Sequence, residues 1–146
     1  MQKIRPLIIF IGGFFLFILD QIVKQLALNI FIENRLWLNI LGWHPFKNSG
    51  IAFSLPLPNS LTVLLTIPTL LIILVLLWNF RKHPKHYHYF FGLCLIFWGA
   101  ASNLFDRIFY KTTIDYFLIG TGVINTADIL IIFGFIIVFS KQLFKK

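Results

Sequence analysis

Four runs of apolar residues, at roughly 7–28, 61–80, 89–108 and 123–141, constrain this chain more than anything else in it. Each reaches the ~20 helical residues that a bilayer's hydrocarbon core requires. Helices that are apolar all round need apolar surroundings on every side. A chain of 146 residues has too little of itself to wrap four of them, so lipid must do so. Composition agrees: 12% of residues are charged, where soluble domains carry about 25%. The expected fold class is an all-α integral membrane protein of four transmembrane helices, a single membrane domain over residues 1–146.

The cations set an orientation. Lys3 and Arg5 precede the first run, Arg81, Lys82 and Lys85 fill the connector RKHPKHYH, and Lys141, Lys145 and Lys146 close the chain. With four crossings these fall on one side, which the positive-inside rule makes cytoplasmic. Both termini are then inside, with residues 29–60 and 109–122 outside. The basic start MQKIRP suits the n-region of a signal peptide, but the apolar run is too long for one. Asp20 and Lys24 also interrupt its end, and no A-x-A site follows, so it reads as a retained span. A net charge of +8 would suit a nucleic-acid binder, yet the cations flank apolar runs instead of gathering on an aromatic-interleaved face. Membrane lipids are therefore the expected partner, and nucleic acid is not. Cys94 is the sole cysteine and lies in an apolar run, which excludes an intramolecular disulfide.

Residues 29–60 have another character. The stretch RLWLNILGWHPFKNSGIAFSLP alternates loosely between Gly, Pro and Asn punctuation, and predicts a small β-rich cradle at the outer surface with NSG as a turn.

Acidic residues are few and concentrated. The chain has 5, and Asp20, Asp106, Asp115 and Asp128 converge near the outer face. Asp20 lies about 20 Å along the first span, on one helix face with Lys24. Asn103, Asp106 and Arg107 end the third run, Asn125 and Asp128 open the fourth, and Asp115 sits in the connector between them. An ionisable residue in a span is unfavourable by roughly 2.5–3.5 kcal/mol even on a lenient scale, so the concentration points to a use. Asp20 with Lys24 reads most simply as an internal ion pair. Asp106 with Arg107 is either a structural pair or an interfacial charge. Asp128 has no cation within a turn on its own helix, and Asp115 lies on a segment that must turn back towards it. The two suggest a shared site. Carboxylates brought together where water is scarce share one proton. One then takes a proton from water while the other donates to a carbonyl oxygen, which hydrolyses a peptide with no metal or cofactor.

Other chemistries fit less well. The sequence has no G-x-S-x-G elbow, no H-E-x-x-H and no P-loop. His83, His86 and His88 lie in the cytoplasmic connector and read as a weakly basic loop, so no metal is expected. A transporter or proton channel also uses intramembrane Asp, but favours a midplane site and inverted repeats. A non-catalytic membrane subunit gives no reason for the Asp pair.

With these residues identified, the chain resembles signal peptidase II, the bacterial lipoprotein signal peptidases, over nearly its full length. DQIVKQ is similar to that family's Asp-x-x-x-Lys, giving Asp20 and Lys24. NSGIAFS resembles its outer-loop Asn-x-Gly-Ala-Ala-Phe-Ser, giving Asn48, Gly50, Ala52, Phe53 and Ser54. GAASNLFDRI resembles Gly-Gly-Ala-x-Gly-Asn-x-x-Asp-Arg, giving Asn103, Asp106 and Arg107. TIDYF and INTADIL resemble the two motifs that carry the family's catalytic aspartates, and map them to Asp115 and to Asp128, the latter with Asn125. Ile51, Trp98, Ser102 and Ile124 depart from the family's residues, and none removes a charge. The resemblance implies a cofactor-free aspartic endopeptidase of the bacterial inner membrane, acting near its outer face. Its implied substrate is a diacylglyceryl-modified prolipoprotein, cut just before the lipidated Cys. Asn48, Asn103, Arg107 and Asn125 would orient the substrate backbone or the dyad, Asp20 and Lys24 would brace the site, and residues 29–60 would form a surface cradle and flexible helix. A monomer is expected.

Overall fold

Helix dominates because an apolar run that meets no water must satisfy its own backbone groups. The computed structural model describes residues 4–38, 40–50, 56–83 and 86–143. The elements in chain order are α1 (Ile4–Asn29), β1 (Arg35–Leu38), β2 (Leu41–Asn48), α2 (Asn59–Phe80), α3 (Tyr87–Phe109), β3 (Thr113–Ile119), β4 (Gly122–Ile124) and α4 (Thr126–Leu143). Helices α1, α2 and α3 are long and apolar enough to cross a membrane, while the apolar part of α4, Thr126–Ser140, is shorter. The fourth helix begins at Thr126 and not near 123, because Gly122–Ile124 are drawn into a strand. Ile51, Ala52, Phe53 and Ser54 of the outer motif, together with Lys3, Lys85, Lys145 and Lys146, lie outside the described residues.

The helices are polar inside and apolar outside. Helix α1 buries Gly13, Asp20, Lys24 and Ala27 at helical spacing, while Ile8 and Phe15 on its other face are 62% and 65% exposed. A helix in water shows the reverse arrangement, so the outer face is fitted to lipid.

Helix α3 is central, and α1, α2 and α4 each pack on it. Glycine makes the α3–α4 contact close. A Cβ at Gly99 would stand 2.5 Å from the Ala127 carbonyl oxygen, and one at Gly134 would stand 2.6 Å from that of Gly92. Membrane helices gain no hydrophobic drive from meeting each other, so small residues that admit close packing decide where they touch. The Gly99 contact brings the start of α4 against the second half of α3. Trp98 uses the same device towards α1: its ring fills the space above Gly13, and Nε1 donates to the Phe10 carbonyl at 3.0 Å. The apolar core, including Ile73, Leu77, Phe90, Leu93 and Cys94, lies at the opposite end of α3 from Asp106 and Arg107.

One antiparallel four-stranded sheet, in the order β1-β2-β3-β4, caps the polar end. Residues 29–60 supply only β1 and β2; β3 comes from what the sequence presents as a plain connector, and β4 mostly from the start of the fourth apolar run. The run TIDYFLI has strand-forming residues, but Thr113, Ile114, Asp115 and Tyr116 are all buried, so no alternation marks it as a strand. Gly120, with φ of 62°, turns β3 into β4 in the left-handed conformation that glycine takes without strain. Strand register sets Phe46 opposite Asp115 and Asn48 opposite Thr113.

If close approach holds α4 in place, Gly99→Val should destabilise the protein in detergent by about 1–3 kcal/mol, the usual penalty for overpacking. Gly12→Ala, with nothing within 4 Å of its new Cβ, should be neutral. Thermal unfolding of the two variants checks this, and equal stabilities would remove the glycine seam as the cause.

Candidate active site

Asp20 and Lys24 reach one depth because residues four apart share a helix face. Lys24 is 0% exposed. Its Nζ lies 2.7 Å from Asp20 Oδ2 and 2.8 Å from Asp106 Oδ2, and it donates to Asn103 Oδ1 at 3.0 Å. The Ser102 hydroxyl donates to Asp20 Oδ2 at 2.6 Å, and Gln21 Nε2 donates to Asp106 Oδ1 at 2.9 Å. Ser102, a departure from the resembled family, is thereby fully engaged in this cluster. The second oxygen of Asp20 accepts from the Tyr116 hydroxyl at 2.9 Å and from the Ala127 amide at 3.3 Å. Asp106 Oδ2 also accepts from the Ile114 amide at 3.2 Å. One buried ion cluster thus ties α1 to α3, to β3 and to the first turn of α4.

Asp106 pairs across helices with Lys24, and among the described residues no ion pair joins it to its neighbour Arg107. Arg107 turns the other way, where Nη2 donates to the Gly50 carbonyl and Nη1, among the described residues, is buried without a hydrogen-bond partner. Gln21, Tyr116 and Thr126 belong to this machinery although nothing in the sequence reading singled them out. The signal for Tyr116 was present: a buried tyrosine must find a partner for its hydroxyl, and here it meets Asp20 and Thr126.

Asp115 and Asp128 come from different elements. Asp115 lies within β3, not in a loop, and is 1% exposed. Asp128 sits in the first turn of α4. Asn125 precedes that helix, and its Oδ1 accepts the Asp128 amide at 2.8 Å while Asp128 Oδ2 accepts the Asn125 amide at 3.2 Å. This reciprocal pair is a capping box. The Asn125 amide group also reaches sideways, Nδ2 donating to Asp115 Oδ1 at 2.6 Å and to Asn103 Oδ1 at 3.1 Å. Asn103 Nδ2 then donates to Asp128 Oδ1 at 2.8 Å. Asn48 Nδ2 holds the far oxygen of Asp115 at 3.0 Å, and its own Oδ1 is fixed by the Gly50 amide at 2.9 Å. Three asparagines from β2, α3 and the α4 cap therefore hold two carboxylates without adding charge. Burial first, and then the neighbouring Asp128, push the Asp115 carboxyl from 3.8 up to about 6, against hydrogen bonds from Asn48 and Asn125 that pull it down.

Both carboxylates open on a cleft of about 700 Å³ between α2, α3, α4 and the sheet. Asn48, Asn103 and Arg107 line its polar end, and Leu104, Ile131 and Ile132 its apolar wall. The Asp115 and Asp128 carboxyls, linked through two amides, thus border the same cleft.

The sequence model of the signal peptidase (SPase) II family matches residues 13–144. The lipoprotein signal peptidase of Lactococcus lactis subsp. lactis (strain IL1403) is 34% identical over 152 residues, covering 100% of this chain and 98% of the relative. That of Clostridium novyi (strain NT) is 35% identical over 127 residues, covering 80% and 84%. A bacterial membrane enzyme solved by the in meso method at 2.3 Å resolution has the same fold, with a TM-score of 0.76 at 20% identity over 95% of this chain and 87% of that one.

Removing the shared cation tests the brace. Lys24→Met leaves two buried carboxylates facing each other and should destabilise the protein by about 3–5 kcal/mol. Adding Asp20→Asn and Asp106→Asn to the same chain should recover part of the loss. Denaturant or thermal unfolding in detergent measures both, and a Lys24→Met variant as stable as its parent would contradict the brace.

Proposed function

The chain belongs to the signal peptidase II family, and we propose that Asp115 and Asp128 are the catalytic pair with which it removes signal peptides from lipid-modified prolipoproteins. The observation that carries this reading is the amide chain Asp115–Asn125–Asn103–Asp128 at the edge of the cleft. It gathers two acids while keeping cations off their oxygens. All four helices cross the membrane in this reading, with both termini cytoplasmic and the sheet forming a cradle over the site. Eighteen residues give α4 about 27 Å of length, close to the ~30 Å of hydrocarbon.

At rest the pair holds one proton, and it sits on Asp115. The positive end of α4 favours the charged form at Asp128, and the proton is placed on Asp115 on that ground. Asp128 takes a proton from the water between them as its oxygen attacks the scissile carbonyl, and Asp115 gives its proton to the carbonyl oxygen. Collapse of the tetrahedral diol returns a proton to Asp115, and Asp128 passes its own to the leaving amine. Arg107 Nη1, buried and without a partner among the described residues, is available to a substrate carbonyl. The apolar wall takes the chain beside the lipidated Cys, so that the bond cut is the one just before it. Both acids come from one chain, so a monomer suffices.

Asp115→Asn and Asp128→Asn should each lose at least ~10²–10⁴-fold in turnover of a purified lipidated prolipoprotein while keeping the parent's unfolding temperature. Robust cleavage by either variant would end the dyad reading. The pH profile is a second check. A carboxyl raised to about 6 keeps its proton below that pH and loses it above, so kcat/KM should fall on the alkaline side with an apparent pKa near that value. Asn48→Ala removes a bond that favours the ionised form, so the alkaline limb should move to higher pH. A limb that stays put would show that Asp115 does not govern it.

A further inference from the structure

A second cavity, of about 750 Å³, lies at the other end of the bundle, among the first turns of α1, the last turns of α2 and the start of α3. Leu7, Phe10, Leu74 and Leu77 form its walls, and Arg81 and Lys82 stand at its mouth. Among the described residues, nothing acidic answers those cations. The chain's acids are Asp20, Glu33, Asp106, Asp115 and Asp128, and none lines this cavity. The Arg81 guanidinium stacks 3.2 Å from the centre of the Trp78 ring, and its buried Nε has no hydrogen-bond partner among the described residues. Stacking fixes the plane of a guanidinium and leaves its edge donors free for a bidentate oxyanion. From Leu74 to Arg81 the helix rises about 10 Å, so the apolar wall leads directly up to the cations.

An apolar channel ending in two unneutralised cations fits a molecule that is hydrocarbon at one end and anionic at the other. We propose that this cavity binds an anionic phospholipid, its phosphate at Arg81 and Lys82 and its upper acyl segment along Phe10, Leu74 and Leu77. A free phosphate would leave the apolar walls without a partner. A neutral lipid would leave the positive charge unanswered. A second copy of this chain would bring a net charge of +8 and, at this end, more of the same cations. The site lies away from Asp115 and Asp128 and does not depend on the catalytic reading.

The test is thermal unfolding of the full chain in a neutral detergent, titrated with dioleoylphosphatidylglycerol, dioleoylphosphatidylcholine or inorganic phosphate. Phosphatidylglycerol should raise the apparent Tm saturably, and the other two should not. Arg81→Gln should weaken the apparent affinity for phosphatidylglycerol roughly fivefold, as expected for one basic residue at an anionic surface. Leu74→Trp should weaken it by filling the groove with the charges intact, which keeps the proposal testable if the arginine variant folds poorly. Lys47→Gln, on β2, should leave the response unchanged. Equal responses to the two lipids, a response to phosphate alone, or an equal loss in Lys47→Gln would overturn the proposal. So would a concentration-dependent dimer abolished by Leu74→Trp, which would assign the face to a second copy.

Discussion

A lysine with no exposed surface, held between two carboxylates inside a bundle fitted to lipid, is the interaction on which the rest of this structure depends. Taking an ammonium out of water is unfavourable by several kcal/mol, and only well-placed opposite charges with further hydrogen bonds offset that. Lys24 has both, in Asp20 and Asp106 and in the oxygens of Ser102 and Asn103. The geometric consequence reaches every layer. Lys24 must face α3, which fixes the rotation and height of α1. Asp106 then accepts the Ile114 amide and sets where β3 begins, while Asp20 accepts the Ala127 amide and sets where α4 begins. Asp115 and Asp128 each lie one residue beyond those two amides. The positions of the proposed catalytic acids thus follow from the brace.

Four aspartates at one end of a bundle are divided between two jobs by their partners. Asp20 and Asp106 are opposed by Lys24, and Arg107 balances the remaining charge nearby. Asp115 and Asp128 receive their hydrogen bonds from asparagine side chains and one backbone amide. A cation in contact with either oxygen would favour ionisation and make a shared proton harder to keep. Asparagine positions an acid through a dipole, and at Asp115 its pull on the proton is outweighed by burial and by the other acid. Asn103 joins the two systems, because its Oδ1 accepts from Lys24 while its Nδ2 donates to Asp128. A change in the brace can reach the pair through that amide as well as through the Ile114 and Ala127 backbone contacts.

Much of this was legible in the chain, for identifiable reasons. The first three membrane-length helices announce themselves through apolar runs whose length has no other explanation. The i to i+4 spacing of Asp20 and Lys24 was enough to place them on one face. The bond from Lys24 to Asp106 was not, because it joins residues on different helices and no local pattern encodes their facing each other. Strand β3 escaped because alternation reveals a strand only when one face is wet, and Thr113 to Tyr116 are buried throughout. The late start of α4 escaped for a chemical reason. Its capping box uses Asp128 at the third helical position, where the usual sequence signature is Glu or Gln.

The cleft follows from the way α2 is packed. Its buried residues, Leu70, Ile73 and Leu77, all lie in its second half, against the apolar core that holds Phe90 and Leu93. In its first half, Thr62 and Thr66 face the cleft instead. Pro68 stands at the boundary, where it removes a backbone donor and loosens the helical ladder. The hydroxyls of Thr66 and Thr69 on either side bond back to the carbonyls of Thr62 and Leu65, a pattern that also bends helices. Helix α4 differs in being fastened to α3 by glycine contacts near its start and further along, at Gly99 and Gly134. One wall of the cleft is therefore packed closely on α3 and carries Asp128, and the other has all its buried residues beyond its proline. On the proposed reading, a lipid-anchored substrate would enter past the first half of α2, without leaving the bilayer. Water for the proposed hydrolysis would come from the sheet-covered end, where Asn48 and Arg107 line the cleft.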